Sequence, residues 1–83
     1  MMTAEQAERE AERRFPEYRA EAMSTCGVYR IALAPRAPEF AASYDPIDPR
    51  LYSEGSSYEG ALAAAAPPDP AALQRKPPAP TTG

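Results

Sequence analysis

The chain has no histidine, no tryptophan and no asparagine, and it carries one cysteine and one lysine. Each shortage removes a class of chemistry. Without histidine the usual zinc ligand sets cannot be assembled and the commonest general base is missing. Cys26 alone cannot close an intrachain disulfide. Bulky aliphatic residues are also scarce: Leu, Ile, Val and Phe make up about a tenth of the chain, under the ~20% at which disorder or dependence on a partner is suspected. The 43% hydrophobic content overstates the core, because roughly half of it is alanine. A net charge of -3 is too small for self-repulsion to hold the chain open. Lack of core therefore limits these 83 residues, and in isolation they are expected to be partly disordered.

No apolar run approaches the ~20 residues that span a bilayer. The opening Met1-Met2-Thr3-Ala4-Glu5 is polar and acidic where a secretory signal is basic and then apolar. A cytoplasmic or virion setting without membrane contact is the expectation. Abundant Ala, Pro and Arg beside a single Lys point to GC-rich coding, and hence to a phage or actinobacterial source.

What the chain does contain divides unevenly. All but one of its 11 prolines lie at or beyond Pro35, so a charged, periodic segment (1–34) precedes a Pro- and Tyr-rich one (35–76) and a final stretch (77–83) read as a polyproline or disordered tail. Thr3 followed by Gln6 is a capping box that opens a helix. From there Ala4, Ala7, Ala11, Phe15, Tyr18, Ala22, Cys26, Tyr29 and Leu33 recur by threes and fours, close to the 3.6 residues of a helical turn. Glu5 to Arg9 and Glu10 to Arg14 stand at i,i+4, which accounts for the charge density as a solvated helix face. Pro16 interrupts the stripe. The fold expected is mostly α: a helical pair over about 3–14 and 17–34, then irregular structure with short helical turns. Residues 28–34 also read as a strand, with Tyr29, Ile31 and Leu33 alternating after Gly27. Helix is preferred because the stripe runs through unbroken and no second strand is evident; a strand here would pair with another chain's sheet edge.

Beyond Pro35, Asp45-Pro46, Asp48-Pro49 and Asp69-Pro70 each set a capping side chain before a residue suited to the first helical position. A turn from Asp48 through Glu54 closed by Gly55 is the clearest of these. Ser56-Ser57 caps a further helix over about 58–66, ended by Pro67-Pro68.

Catalysis fails on inventory, and the expectation is no enzyme, no cofactor, no metal and no small-molecule substrate. The acidic residues fall on helix faces and caps, and so small a core cannot bury a carboxylate to raise its pKa. Cys26 reads as a small buried residue of the stripe rather than a reactive thiol. Asp45, Asp48, Glu54 and Glu59 match no calcium loop and read as caps. Nucleic-acid binding is disfavoured, because Arg9, Arg13 and Arg14 alternate with Glu8, Glu10 and Glu12. Two stretches, Pro35-Arg36-Ala37-Pro38 and Arg75-Lys76-Pro77-Pro78-Ala79-Pro80, have the spacing of polyproline ligands, but that spacing is common by chance in so proline-rich a chain and a linker is the preferred reading.

The remaining expectation is a protein interface. Phe40, Tyr44, Ile47, Leu51, Tyr52 and Tyr58 lie where no regular element covers them, and tyrosine favours interfaces. They complete a miniature core, meet a partner, or do both. With Phe15, Tyr18, Tyr29, Ile31 and Leu33 from the stripe, they form the candidate contact set. The chain is read as a non-enzymatic accessory or structural protein docking on a larger protein or assembly, such as a phage particle. The alternative is a small regulatory or inhibitory protein that binds a host enzyme or transcription component.

Overall fold

The computed structural model describes residues 1–73. Helix α1 spans Ala4–Arg14 and opens as its capping box requires: the Gln6 N–H donates to Thr3 Oγ1 at 3.1 Å, and the Thr3 N–H donates to Gln6 Oε1 at 2.9 Å. Its apolar stripe is narrow. Ala7 and Ala11 are fully buried, while Met2, Ala4 and Phe15 pack half-buried beside them. Phe15 caps the helix with its N–H on the Ala11 carbonyl, and Pro16 prevents another turn.

The expected helix over 17–34 is instead a β-hairpin, and the fold is not mostly α. Strand β1 (Tyr18–Thr25) pairs antiparallel with β2 (Val28–Pro35), from Tyr18 opposite Pro35 to Thr25 opposite Val28. The physical reason lies in the spacing. Positions four apart share a face in a helix and also in a strand, so Tyr18 with Ala22 and Tyr29 with Leu33 satisfy both periods. The turn decides between them. Cys26 and Gly27 both have positive φ, 51° and 78°, the type I′ pattern of a two-residue hairpin loop. The strand partner of residues 28–34 is the segment immediately before the turn. Cys26, expected in a buried stripe, is exposed at that turn.

A third strand, β3 (Tyr52–Gly55), joins the other edge of β2, with Tyr29 opposite Gly55 and Ala32 opposite Tyr52. The sheet is a meander of order β1-β2-β3. This corrects the helical turn expected from Asp48 to Glu54. Asp48 does cap, accepting from the Arg50 N–H at 2.9 Å, but it caps only the 3-10 turn Pro49–Leu51 before the chain extends. Helix α2 is a single turn, Pro38–Ala41. Pro35 therefore ends a strand and Pro38 opens a helix, so that proline spacing is not an extended ligand. The second such stretch and the tail expected over 77–83 lie outside the described residues.

Helix α3 (Tyr58–Ala64) is capped by Ser57, whose hydroxyl accepts from the Gly60 N–H at 3.0 Å, and it ends short of Pro67. It sits so close to β3 that a Cβ on Gly55 would lie 2.8 Å from the Ala61 nitrogen. Asp69 opens the last turn, α4 (Pro70–Leu73), by accepting from the Ala71 N–H at 3.0 Å.

Helices α1 and α3 cover one face of the sheet. There Ile31 and Leu33 meet Ala7, Ala11, Ala61 and Leu62, with Tyr18, Leu51, Tyr58 and Leu73 closing the sides. Tyr29 and Tyr58 stack edge to face with ring centroids 4.8 Å apart. Tyr18 donates its hydroxyl to the Pro68 carbonyl. Residues before and after Pro35 thus share one core, small because three of its ten buried hydrophobic residues are alanine. Ser53 points into it, 7% exposed, with its hydroxyl unpartnered.

Candidate functional site

Among the described residues, no helix covers the second face of the sheet. Alternation places Arg19, Glu21, Met23 and Thr25 of β1 on it, beside Val28, Arg30, Ala32 and Ala34 of β2 and Tyr52 and Glu54 of β3. Small side chains in the central strand make its floor low. A hollow of about 530 Å³ lies over Ala32 and Ala34, walled by Tyr44, Pro46 and Tyr52 on one side and Met23 on the other. A second hollow, about 290 Å³, continues it past Arg30 to Val28 and Thr25. Met23 and Val28 are 39% and 46% exposed, whereas on the other face Ala22 is partly buried and Ile31 fully.

Arg30 stands between the two hollows. Its Nε and Nη2 donate to Glu54 Oε2 at 2.8 and 2.5 Å, and its guanidinium carbon lies 5.5 Å from the centre of the Tyr52 ring. Both charges are about half exposed, so the pair is worth no more than ~1 kcal/mol and the ring contact about the same. Its main effect is to hold Tyr52 and Arg30 in one orientation. Tyr52 is fixed at its other end by donating its hydroxyl to the Pro46 carbonyl. The surface is thus rigid, mixed apolar and aromatic, and internally neutralised in charge at its centre.

The residues read as partner contacts fall in three places. Tyr18, Ile31, Leu33, Leu51 and Tyr58 lie in the core, and Phe15 and Tyr29 pack half-buried against it. Tyr44 and Tyr52 wall the open face, and Ile47, next to Pro46, is 77% exposed. Phe40 lies apart, half-buried beside Glu17 and Asp69 in a hollow of about 340 Å³. Met23, Val28 and Arg30 were missed. Their signal was the alternation Arg19, Glu21, Met23, which reads as a half-buried strand once the helical stripe is set aside.

Titratable groups are perturbed only where ion pairs or burial explain it. Arg13 and Arg14 hydrogen-bond to Glu10 and hold its carboxyl down to about 2. Arg50 beside Asp48 likewise keeps that carboxyl below its usual range. Burial, with Asp69 and Glu17 nearby, pushes the Tyr18 hydroxyl up to about 12. Asp45, Asp48, Glu54 and Glu59 are not brought together: Asp45 accepts from the Ile47 N–H, Asp48 and Glu54 bind arginines, and Glu59 lies in the first turn of α3. Among the described residues no three Cys, Asp or Glu side chains could jointly hold a metal ion, and no helix is long and apolar enough to cross a membrane. Compared with family models, curated proteins and solved structures, the chain matches none.

Proposed function

We propose that this chain is a non-enzymatic accessory or structural protein that docks on a larger protein or assembly, in a cytoplasmic or virion setting, through the open face of its sheet. One observation carries the reading: Met23 stands exposed beside an alanine-floored hollow walled by two tyrosines and a proline, and Val28 beside the hollow that continues it, on the sheet face that neither α1 nor α3 covers. Aromatic and methionine side chains on an ordered surface are the composition that protein interfaces favour. An Arg30–Glu54 pair that already neutralises itself presents no field of one sign for phosphate or lipid headgroups.

The test uses exposed positions, so that folding and docking separate. Met23→Glu with Val28→Glu is expected to abolish recovery of the bound protein from native cells while leaving the circular dichroism spectrum unchanged. Arg9→Ala with Arg13→Ala, on the outer face of α1, is expected to leave recovery intact. The opposite pattern overturns the proposal.

A second reading, a free regulatory or inhibitory domain, has one observation in its favour: the core draws Leu51, Tyr58, Leu62 and Leu73 back onto the hairpin, so the chain supplies its own closure. It expects a sharp thermal transition for the purified monomer. The docking subunit of an assembly expects a broader transition at lower temperature.

A further inference from the structure

Edge strand β1 turns two of its unpaired backbone N–H groups toward α1 rather than to water. Ala20 donates to Glu12 Oε2 at 3.0 Å and Ala22 donates to Glu8 Oε2 at 2.9 Å. The match is one of pitch. Four residues of helix rise ~6 Å and two residues of strand advance ~6.8 Å, so carboxylates at i and i+4 of an antiparallel helix fall opposite alternate strand N–H groups. They occupy the places that carbonyl oxygens of a neighbouring strand would take. Packing of α1 does not require them there, because Ala7 and Ala11 make its buried contact and Glu8 and Glu12 remain half exposed. Glu12 is held in place from its other oxygen by Arg36, 3.0 Å away.

We propose that the β1 edge is a strand-acceptor site held shut by Glu8 and Glu12, and that the strand it takes when they swing aside is β1 of a second copy of this chain. Two features select that occupant. The N–H and C=O of Ala20 face outward together, so two copies related by a two-fold axis at Ala20 exchange both bonds. In that register Arg19 of each copy stands opposite Glu21 of the other, an attractive cross-strand pair on both sides of the axis. Residues 18–22 of the two copies pair in that register, a ladder slightly longer than the four residues of β3. The β1 edge can pair whether or not the open face binds a partner.

The test is sedimentation of the full chain over a concentration series, with hydrogen exchange read at the Ala20 and Ala22 amides. Glu8→Ala with Glu12→Ala is expected to tighten self-association at least about tenfold over wild type, with both amides protected in the dimer. Glu8→Gln with Glu12→Gln keeps a carbonyl acceptor and is expected to behave as wild type. In the double-alanine background, Arg19→Glu is expected to abolish the dimer, and Arg19→Glu with Glu21→Arg to restore it. A double-alanine chain that keeps its sheet signal and stays monomeric overturns the proposal. So does a dimer that ignores Arg19→Glu or leaves Ala20 and Ala22 exchanging freely. Should the double variant lose its sheet, the singles Glu8→Ala and Glu12→Ala take its place, and failure of either to tighten association refutes the idea.

Discussion

Replacing Gly27 by alanine has opposite signs in a hairpin and in a helix. Gly27 sits at φ +78°, and a methyl added there would meet nothing within 4 Å, so the substitution is a purely conformational perturbation. Holding an L-residue in the left-handed region costs roughly 1–2 kcal/mol. The stiffer unfolded chain returns roughly 0.4–1 kcal/mol of that. The expected net loss is about 1 kcal/mol, seen as a drop in Tm of roughly 4–8 °C for a domain of this size. Inside a helix over 17–34 the same change would raise stability by about 1 kcal/mol, because alanine is the better helix former. The two outcomes differ by about 2 kcal/mol, well beyond the error of a urea titration. Far-UV circular dichroism supplies one probe and tyrosine emission a second, undisturbed by tryptophan, since there is none. Cys26→Asn, at φ 51°, checks the same turn from its other position: Asn-Gly suits a type I′ loop, so a small gain is expected. A stabilised Gly27→Ala chain refutes the hairpin argument.

Gly55→Ala tests the opposite mechanism, because its methyl would press on the backbone of Gly60 and Ala61 at 2.9 and 2.8 Å; urea unfolding is expected to show a loss of about 1–3 kcal/mol as α3 is pushed off β3. Ser53→Ala removes a buried, unpartnered hydroxyl and is expected to stabilise the chain by about 1 kcal/mol in the same assay, whereas a loss would reveal a partner for that oxygen. Tyr18 adds a pH dependence. Its hydroxyl titrates near 10 when unfolded and at about 12 when folded, so the native state holds the proton more tightly, and stability complete below pH 10 is lost as pH rises toward 12. Tyr18→Phe is expected to flatten that alkaline slope in pH-dependent denaturation; an unchanged slope assigns it to another group.

The caps were legible because each is decided within three residues. Thr3 with Gln6, Ser57 with Gly60, Asp48 with Arg50 and Asp69 with Ala71 all bond as the local spelling implies. The break at Pro16 follows from the same short-range sterics. The open face was not legible, since it exists only after α1 and α3 have both taken the other side of the sheet. Tyr44 and Tyr52 were recognisable as contact-prone tyrosines, but the alanine floor they surround comes from β2, and the pairing of Tyr52 with Ala32 brings it to them.

By itself, then, the order of residues determined the caps that open α1 and α3 and the stop of α1 at Pro16, and it supplies no histidine, no second cysteine and no apolar run of bilayer length. Tertiary structure decided whether Tyr18–Leu33 would coil or extend, because side chains four apart lie together in either form and only cross-strand pairing separates the two. It also decided what Glu8 and Glu12 are for. On an isolated helix they are solvated charges; beside β1 they become the acceptors that an edge strand lacks, since hydrogen-bond partners are assigned by distance in space.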